Sequence, residues 1–193
     1  LWLMQNGRAD WRGTHIFGPG QEKQAEDYRT RGTAVPFHYD SKFHPTSWVS
    51  RETVEFLKKR DPETPFFLVC SFRHPHAPYD PPEPYASMFR PADIRLPSDG
   101  RSVNDELPGP FREAMLAPSN YPEPLMRKVL SYVRALVKQI DDGVGQILQH
   151  VDLDSTYVFF TSDHGDYGGH RGLRGKTPWI PFDDLSRVPF FCV

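Results

Sequence analysis

The chain has 193 residues, 38% of them hydrophobic and 13% aromatic, enough to bury one sizeable core, so a single domain is the expectation. Lys and Arg total 23 against 25 Asp and Glu, and this near-balance provides neither an electrostatic footprint for nucleic acid nor a polybasic patch for a membrane surface. The longest apolar run, Phe66 to Cys70, is far too short to span a bilayer. No secretory signal is visible, and the chain opens with Leu1 rather than Met. Cys70 and Cys192 both sit in apolar runs without a second Cys or a His at ligand spacing, which predicts two buried free thiols rather than a disulfide or a metal site.

Residues 1 to 45 show no clean period; Gly18-Pro19-Gly20 predicts a turn, and Tyr28 to Asp40 extended chain or loop. Thr46 or Ser47 could cap a helix running to about Arg60, with Val49, Thr53, Phe56 and Leu57 inward and Lys58, Lys59 and Arg60 at its negative end. Asp61-Pro62 breaks it. Phe66-Phe67-Leu68-Val69-Cys70 does not alternate, as expected of a strand buried on both faces. From Phe72 to Pro124 the chain holds twelve of its 20 prolines, a density that excludes regular helix and disfavours strand. This is the expected place for a long ordered surface excursion, with Tyr79, Tyr85, Phe89, Phe111 and Tyr121 to anchor it. Met126, Val129, Leu130, Val133, Val137, Ile140, Val144, Ile147 and Leu148 form one face of a long amphipathic helix ending near His150. Tyr157 to Thr161 and Val188 to Val193 predict two further buried strands. Strand, helix, strand, glycine-rich loop and strand in succession point to a mostly parallel α/β sheet.

The chemistry gathers after the predicted strands, where ligands collect in open α/β sheets. Thr161-Ser162-Asp163-His164-Gly165 sets a hard oxygen ligand beside an imidazole, with Gly165 free to turn the backbone away. Taken alone, such a pair is more often a turn aspartate beside a partly exposed histidine. Gly168-Gly169-His170-Arg171-Gly172-Leu173-Arg174-Gly175-Lys176 follows, four glycines and four potential cations in nine residues, suited to an oxyanion such as sulfate or phosphate or else simply a solvated basic loop. Asp183, Asp184 and Arg187 lead into the last strand as structural polar contacts. After the strand at 66 to 70 stands Ser71-Phe72-Arg73-His74-Pro75-His76-Ala77-Pro78-Tyr79-Asp80-Pro81-Pro82, in which two prolines fix the chain around His76. Such a histidine can donate a proton or a hydrogen bond, or merely pack a proline-rich loop.

The order of these segments (strand, Ser-Phe-x-x-Pro-His-x-Pro-Tyr-Asp-Pro-Pro, long helix, strand, Thr-Ser-Asp-His-Gly, Gly-x-His, Lys, Arg-Val-Pro) resembles the sulfatase family of the alkaline phosphatase superfamily over residues 43 to 193. The resemblance implies a three-layer α/β fold with a mostly parallel sheet and helices on both faces. It implies that Asp163 and His164 are the late pair of ligands to one divalent cation, usually calcium, with manganese or zinc as alternatives. It also implies that His76 contacts the sulfate and assists the leaving group, that Lys176 binds sulfate oxygens, and that His170 contacts substrate. His74 falls where relatives vary and receives no role. By the same analogy residues 72 to 124 shape the pocket for the alcohol part of a small-molecule or carbohydrate sulfate ester.

The family's early Asp-Asp metal pair, its Cys-x-Pro-x-Arg or Ser-x-Pro-x-Arg formylglycine segment and its Gly-Lys-x-His stretch are all missing from the sequence. The expectation is therefore an incomplete catalytic domain, inactive alone, whose nucleophile is made elsewhere by a formylglycine-generating enzyme. Two alternatives remain: a phosphonate monoester or phosphodiester hydrolase of the same superfamily, and a non-catalytic binding domain.

Overall fold

A computed structural model describes residues 34–97, 122–170, 173, 175–176 and 181–193. The predicted turn at Gly18-Pro19-Gly20, the aromatics Phe111 and Tyr121, and Arg171 and Arg174 of the basic loop lie outside the described residues. The chain divides into two compact units, Leu1–Asp93 with Lys128–Asp152, and Ile94–Arg127 with Leu153–Val193.

In the first unit, helix α1 (Pro45–Lys59) starts on a proline, which supplies the right φ and has no amide to leave unpaired. Its cap is His44 rather than Thr46 or Ser47: the His44 Nδ1 accepts the Thr46 backbone N–H at 3.2 Å. The inward face also differs from the expected one. Thr46, Ser50, Thr53 and Leu57 are buried, whereas Val49 is only partly covered and Phe56 is 43% exposed. Small polar side chains win these places because helix α2 (Glu123–Leu148) comes very close. A β-carbon on Gly143 would lie 2.3 Å from the Ser50 Oγ, and the Gln139 amide donates to the Ser47 Oγ at 3.1 Å. Of the predicted face of α2, Met126 and Val129 are buried and Val137 is 49% exposed, while Ala135 and Leu136, outside that face, are fully buried.

Phe66 to Cys70 is extended chain without ladder partners among the described residues, and it is not buried: Phe67 is 91% and Val69 70% exposed. Before α2 begins at Glu123, the helical structure in the described part of the proline-rich stretch is limited to 3-10 turns at Tyr85–Ser87 and Pro91–Asp93, as its missing amide donors dictate. It is nevertheless well anchored. Ala34 forms a parallel bridge with Tyr79, the Val35 and Phe37 amides donate to Tyr79 and Pro81 carbonyls at 3.1 and 3.0 Å, and Pro78 through Pro82 are buried.

In the second unit, β1 (Phe159–Thr161) pairs antiparallel with β2 (Phe190–Cys192), with Phe160 opposite Phe191 and their rings stacked 4.8 Å apart. Both strands are shorter than the apolar runs that predicted them, and neither is buried: Phe159 is 64% and Phe190 68% exposed, because two strands alone cannot cover both of their faces. The cysteines are free as expected but not buried, Cys70 being partly covered and Cys192 exposed. The short helix α3 (Asp183–Ser186) contributes Leu185 to a core with Tyr167 and Leu173, against which Phe182 packs.

Candidate functional site

Strand β1 delivers Ser162-Asp163-His164-Gly165 directly at its C-terminal end. The loop is pinned to α3, with the Gly165 amide donating to the Leu185 carbonyl at 2.9 Å. A β-carbon on Gly165 would lie only 1.9 Å from the Asp184 carbonyl oxygen. The glycine is thus required by the close approach of the α3 backbone rather than by the sharp turn expected of it.

Asp163 accepts the His164 amide at 2.9 Å and the Ser162 hydroxyl at 3.4 Å on Oδ1. Desolvation opposes its charge, but the His164 amide and imidazole outweigh that and hold the carboxyl below its ordinary range. The His164 Nδ1 lies 2.7 Å from the Gly165 carbonyl, which can only accept, so Nδ1 carries the ring proton and Nε2 keeps its lone pair in the neutral ring. That lone pair faces Lys176, whose Nζ is 3.2 Å from Nε2, while the Asp163 Oδ2 is 3.5 Å away. A carboxylate, an imidazole lone pair and an ammonium therefore converge.

His170 belongs to the same unit. Backbone bonds from Tyr167 to Gly175 and from Gly169 to Leu173, each 2.9 Å, close the glycine-rich loop, and Gly169 takes a φ of 93°, which favours glycine. The His170 Nδ1 meets the Asp184 Oδ1 at 2.6 Å and donates to it. Asp184, expected only as a structural contact, orients this ring. Helix α3 thus fixes both Gly165, through Leu185, and His170.

His76 lies in the first unit. It is exposed, and its Nδ1 is 2.7 Å from the Ala77 carbonyl, so Nε2 is its outward nitrogen. The peptide bonds before Pro75 and Pro78 are cis. The same segment carries part of a buried cluster for which the sequence suggested no role. The His74 Nε2 donates to the Asp80 Oδ1 at 3.2 Å, and its Nδ1 receives the Thr46 hydroxyl at 3.1 Å. The His44 ring stands 4.5 Å from that of His74, with its Nε2 4.0 Å from the Asp80 Oδ1, beyond hydrogen-bond length. Burial works against the Asp80 charge, yet the two imidazoles keep its carboxyl below the ordinary range. Burial pushes His44 down, and Asp80 offsets this only in part. His44 and Asp80 are 36 residues apart, and no local pattern announces such a pairing.

Two groups of side chains have ligand chemistry. Asp163 and His164 fit a divalent cation: one oxygen donor, one nitrogen whose tautomer is already set by a carbonyl on the other ring atom, and a local field that already holds an ammonium. His44, His74 and Asp80 place ligand atoms within 4.8 Å of one another but do not fit. The Thr46 amide occupies the lone pair of the His44 Nδ1, so the Nε2 facing Asp80 carries the proton and cannot ligate.

A family description, Sulfatase, matches residues 4–193. An arylsulfatase of Clostridium perfringens is 36% identical over 166 residues, spanning 81% of this chain and 33% of that protein. A multifunctional alkaline phosphatase superfamily protein of Trinickia caryophylli is 25% identical over 91% of this chain and 37% of its own length. Among solved structures, the phosphonate monoester hydrolase of Agrobacterium radiobacter superposes with a TM-score of 0.76 at 25% identity, covering 99% of this chain and 40% of that one. The chain thus spans about a third of the length of the two curated relatives, and its fold is the α/β class of the superimposed hydrolase.

Proposed function

Because the chain belongs to the sulfatase family, we propose that it supplies the cation-binding and oxyanion-binding part of a sulfuric ester hydrolase that cleaves a sulfate monoester. The observation that carries this is the meeting of Asp163, His164 and Lys176 at the end of β1. A bound divalent cation, calcium first and manganese or zinc as alternatives, would polarise the ester's oxygens and lower the pKa of the nucleophile. Asp163 and His164 would hold it, through a carboxylate oxygen and Nε2.

The remaining roles belong to the chain's own side chains. Lys176, a fixed ammonium, would neutralise charge on the sulfate oxygens as it concentrates in the transition state. His76, with Nε2 outward, would contact the sulfate and, as the imidazolium with Nδ1–H kept on the Ala77 carbonyl, would pass its Nε2 proton to the departing alcohol oxygen. His170, oriented by Asp184, would contact substrate. The attacking group would be a formylglycine hydrate outside these 193 residues, made by a formylglycine-generating enzyme. Residues 72 to 124 would shape the pocket for the alcohol part, by analogy with the family.

A second reading, phosphonate monoester or phosphodiester hydrolysis, is favoured by the superposition on a phosphonate monoester hydrolase. Sulfate and phosphonate esters present similar oxyanions to the same cations. The test compares hydrolysis of an aryl sulfate and an aryl phosphonate monoester by the whole protein, co-expressed with a formylglycine-generating enzyme, with and without added divalent metal. Metal-dependent sulfate cleavage well above phosphonate cleavage is expected. The reverse order would transfer the same residues to the second reaction.

A further inference from the structure

His76 sits at the apex of an arch whose two feet are tied together. The feet are His74 and Asp80, six residues apart, joined by the 3.2 Å bond between the His74 Nε2 and the Asp80 Oδ1. Both are buried, at 5% and 2% exposure, while His76 between them is exposed. Each foot is also anchored outside the arch. His74 takes the Thr46 hydroxyl from the first turn of α1, and Asp80 is flanked by Tyr79 and Pro81, whose carbonyls receive the Val35 and Phe37 amides.

The charge state suits a permanent clamp. Asp80 is held ionised by its imidazole neighbours, and the His44 Nε2, which carries its ring proton, points toward the same oxygen from 4.0 Å. A buried carboxylate that accepts hydrogen bonds in a water-poor setting binds its donors tightly, and losing it leaves buried donors unpaired. Nothing in the proposed chemistry uses Asp80, His74 or Thr46 directly, yet these residues determine where His76 is presented.

We propose that Asp80 is a positioning residue for His76: its bond to His74 closes the arch and fixes the His76 imidazole over the departing oxygen of the ester. This rests on the proposed role of His76. The corollary is selective. A general acid matters when the leaving alcohol is a poor one and little when it is a good one, so displacing His76 penalises alkyl sulfates far more than nitrophenyl sulfate. A displacement of about 1 Å is enough for a loss on the order of a hundredfold.

The experiment measures kcat and KM of the whole enzyme on an alkyl sulfate and on nitrophenyl sulfate for Asp80→Ala, His74→Phe, Asp80→Asn and His76→Ala, and for Asp80→Ala combined with His76→Ala. Thermal melting checks that each variant is folded. Asp80→Ala and His74→Phe, which break the clamp from either side, should lower kcat on the alkyl ester about 10- to 100-fold and on the nitrophenyl ester less than about threefold. Asp80→Asn keeps an acceptor at the same place and should recover most of the loss; it also serves if the alanine variant does not fold. In the His76→Ala background, Asp80→Ala should cause no further selective loss. Equal losses on both esters, or losses that add in the double variant, would overturn the inference while leaving the role of His76 intact. A His76→Ala enzyme as active as the parent on the alkyl ester would remove the role of His76, and the inference with it.

Discussion

The Lys176 ammonium rests on the one lone pair that His164 could offer a metal ion, with Nζ and Nε2 3.2 Å apart. Neutral imidazole has a single such lone pair, so the lysine contact and metal ligation through Nε2 exclude each other. Binding a cation must displace Lys176, and Lys176→Met should therefore tighten binding of calcium or manganese several-fold by titration calorimetry. Asp163→Ala, which removes the proposed ligand, should weaken it at least tenfold. Lys176→Met should at the same time lower kcat on the order of a hundredfold, since a fixed charge at the developing oxyanion is lost. Metal affinity that falls with both substitutions would show that Lys176 and the cation do not compete.

Gly165 lies where the backbone of α3 leaves no room for a side chain. The atom facing a new β-carbon is the Asp184 carbonyl oxygen at 1.9 Å, which cannot rotate away. Gly165→Ala should push α3 off the Asp163-His164 loop and, through Asp184, disturb His170. A loss of about 3 kcal/mol in chemical denaturation is expected, together with weakened metal binding. An alanine variant with parental stability and metal affinity would mean that the loop and α3 do not need their close approach.

Much of this arrangement was legible in the sequence. One strand end and the loop after it point to Asp163, His164 and Lys176, and the fold brings these three side chains together. The two long helices followed from their periodicity and their flanking prolines. The expectations that failed share a cause, because burial depends on what lies opposite an element and not on the element itself. Phe56 and Val137 carry the right period but face outward, since the contact between α1 and α2 is narrow and filled by Ser50 and Gly143. Phe66 to Cys70 is apolar throughout, yet no ladder forms there among the described residues. The His44–His74–Asp80 cluster joins residues from separate segments, and neither a lone histidine before a proline nor an aspartate among prolines announces a non-local partner.

The narrow contact itself predicts a reversal of sign. Gly143→Ala should be destabilising by about 1 to 2 kcal/mol, because its β-carbon meets the Ser50 Oγ at 2.3 Å, which outweighs the gain in helix propensity. The Ser50 β-carbon is a tolerable 3.4 Å away. In a Ser50→Ala background, Gly143→Ala should therefore become neutral or stabilising by up to about 1 kcal/mol. Denaturant titrations of the four proteins give the coupling directly, and a Gly143→Ala penalty unchanged by Ser50→Ala would place the obstruction elsewhere.

The last prediction concerns acid. His44 is buried against Phe37, Thr46, His74 and Asp80, and burial lowers its pKa from the usual 6.5. A lowered folded-state pKa means that the unfolded chain binds the proton first. His44 thus contributes stability in full above pH 6.5, and that contribution is lost as pH falls toward the folded-state value. Asp80 is also lowered, but from 3.8, so its contribution is lost only in stronger acid and leaves the upper window to His44. Unfolding free energy should decline as pH falls below about 6.5, with a slope of at most about 1.4 kcal/mol per pH unit for one proton. His44→Asn keeps a side chain able to cap Thr46 but removes the titrating group, so the variant should be less stable at neutral pH and show a flatter decline. A slope as steep as the parent's would assign the acid sensitivity to another group.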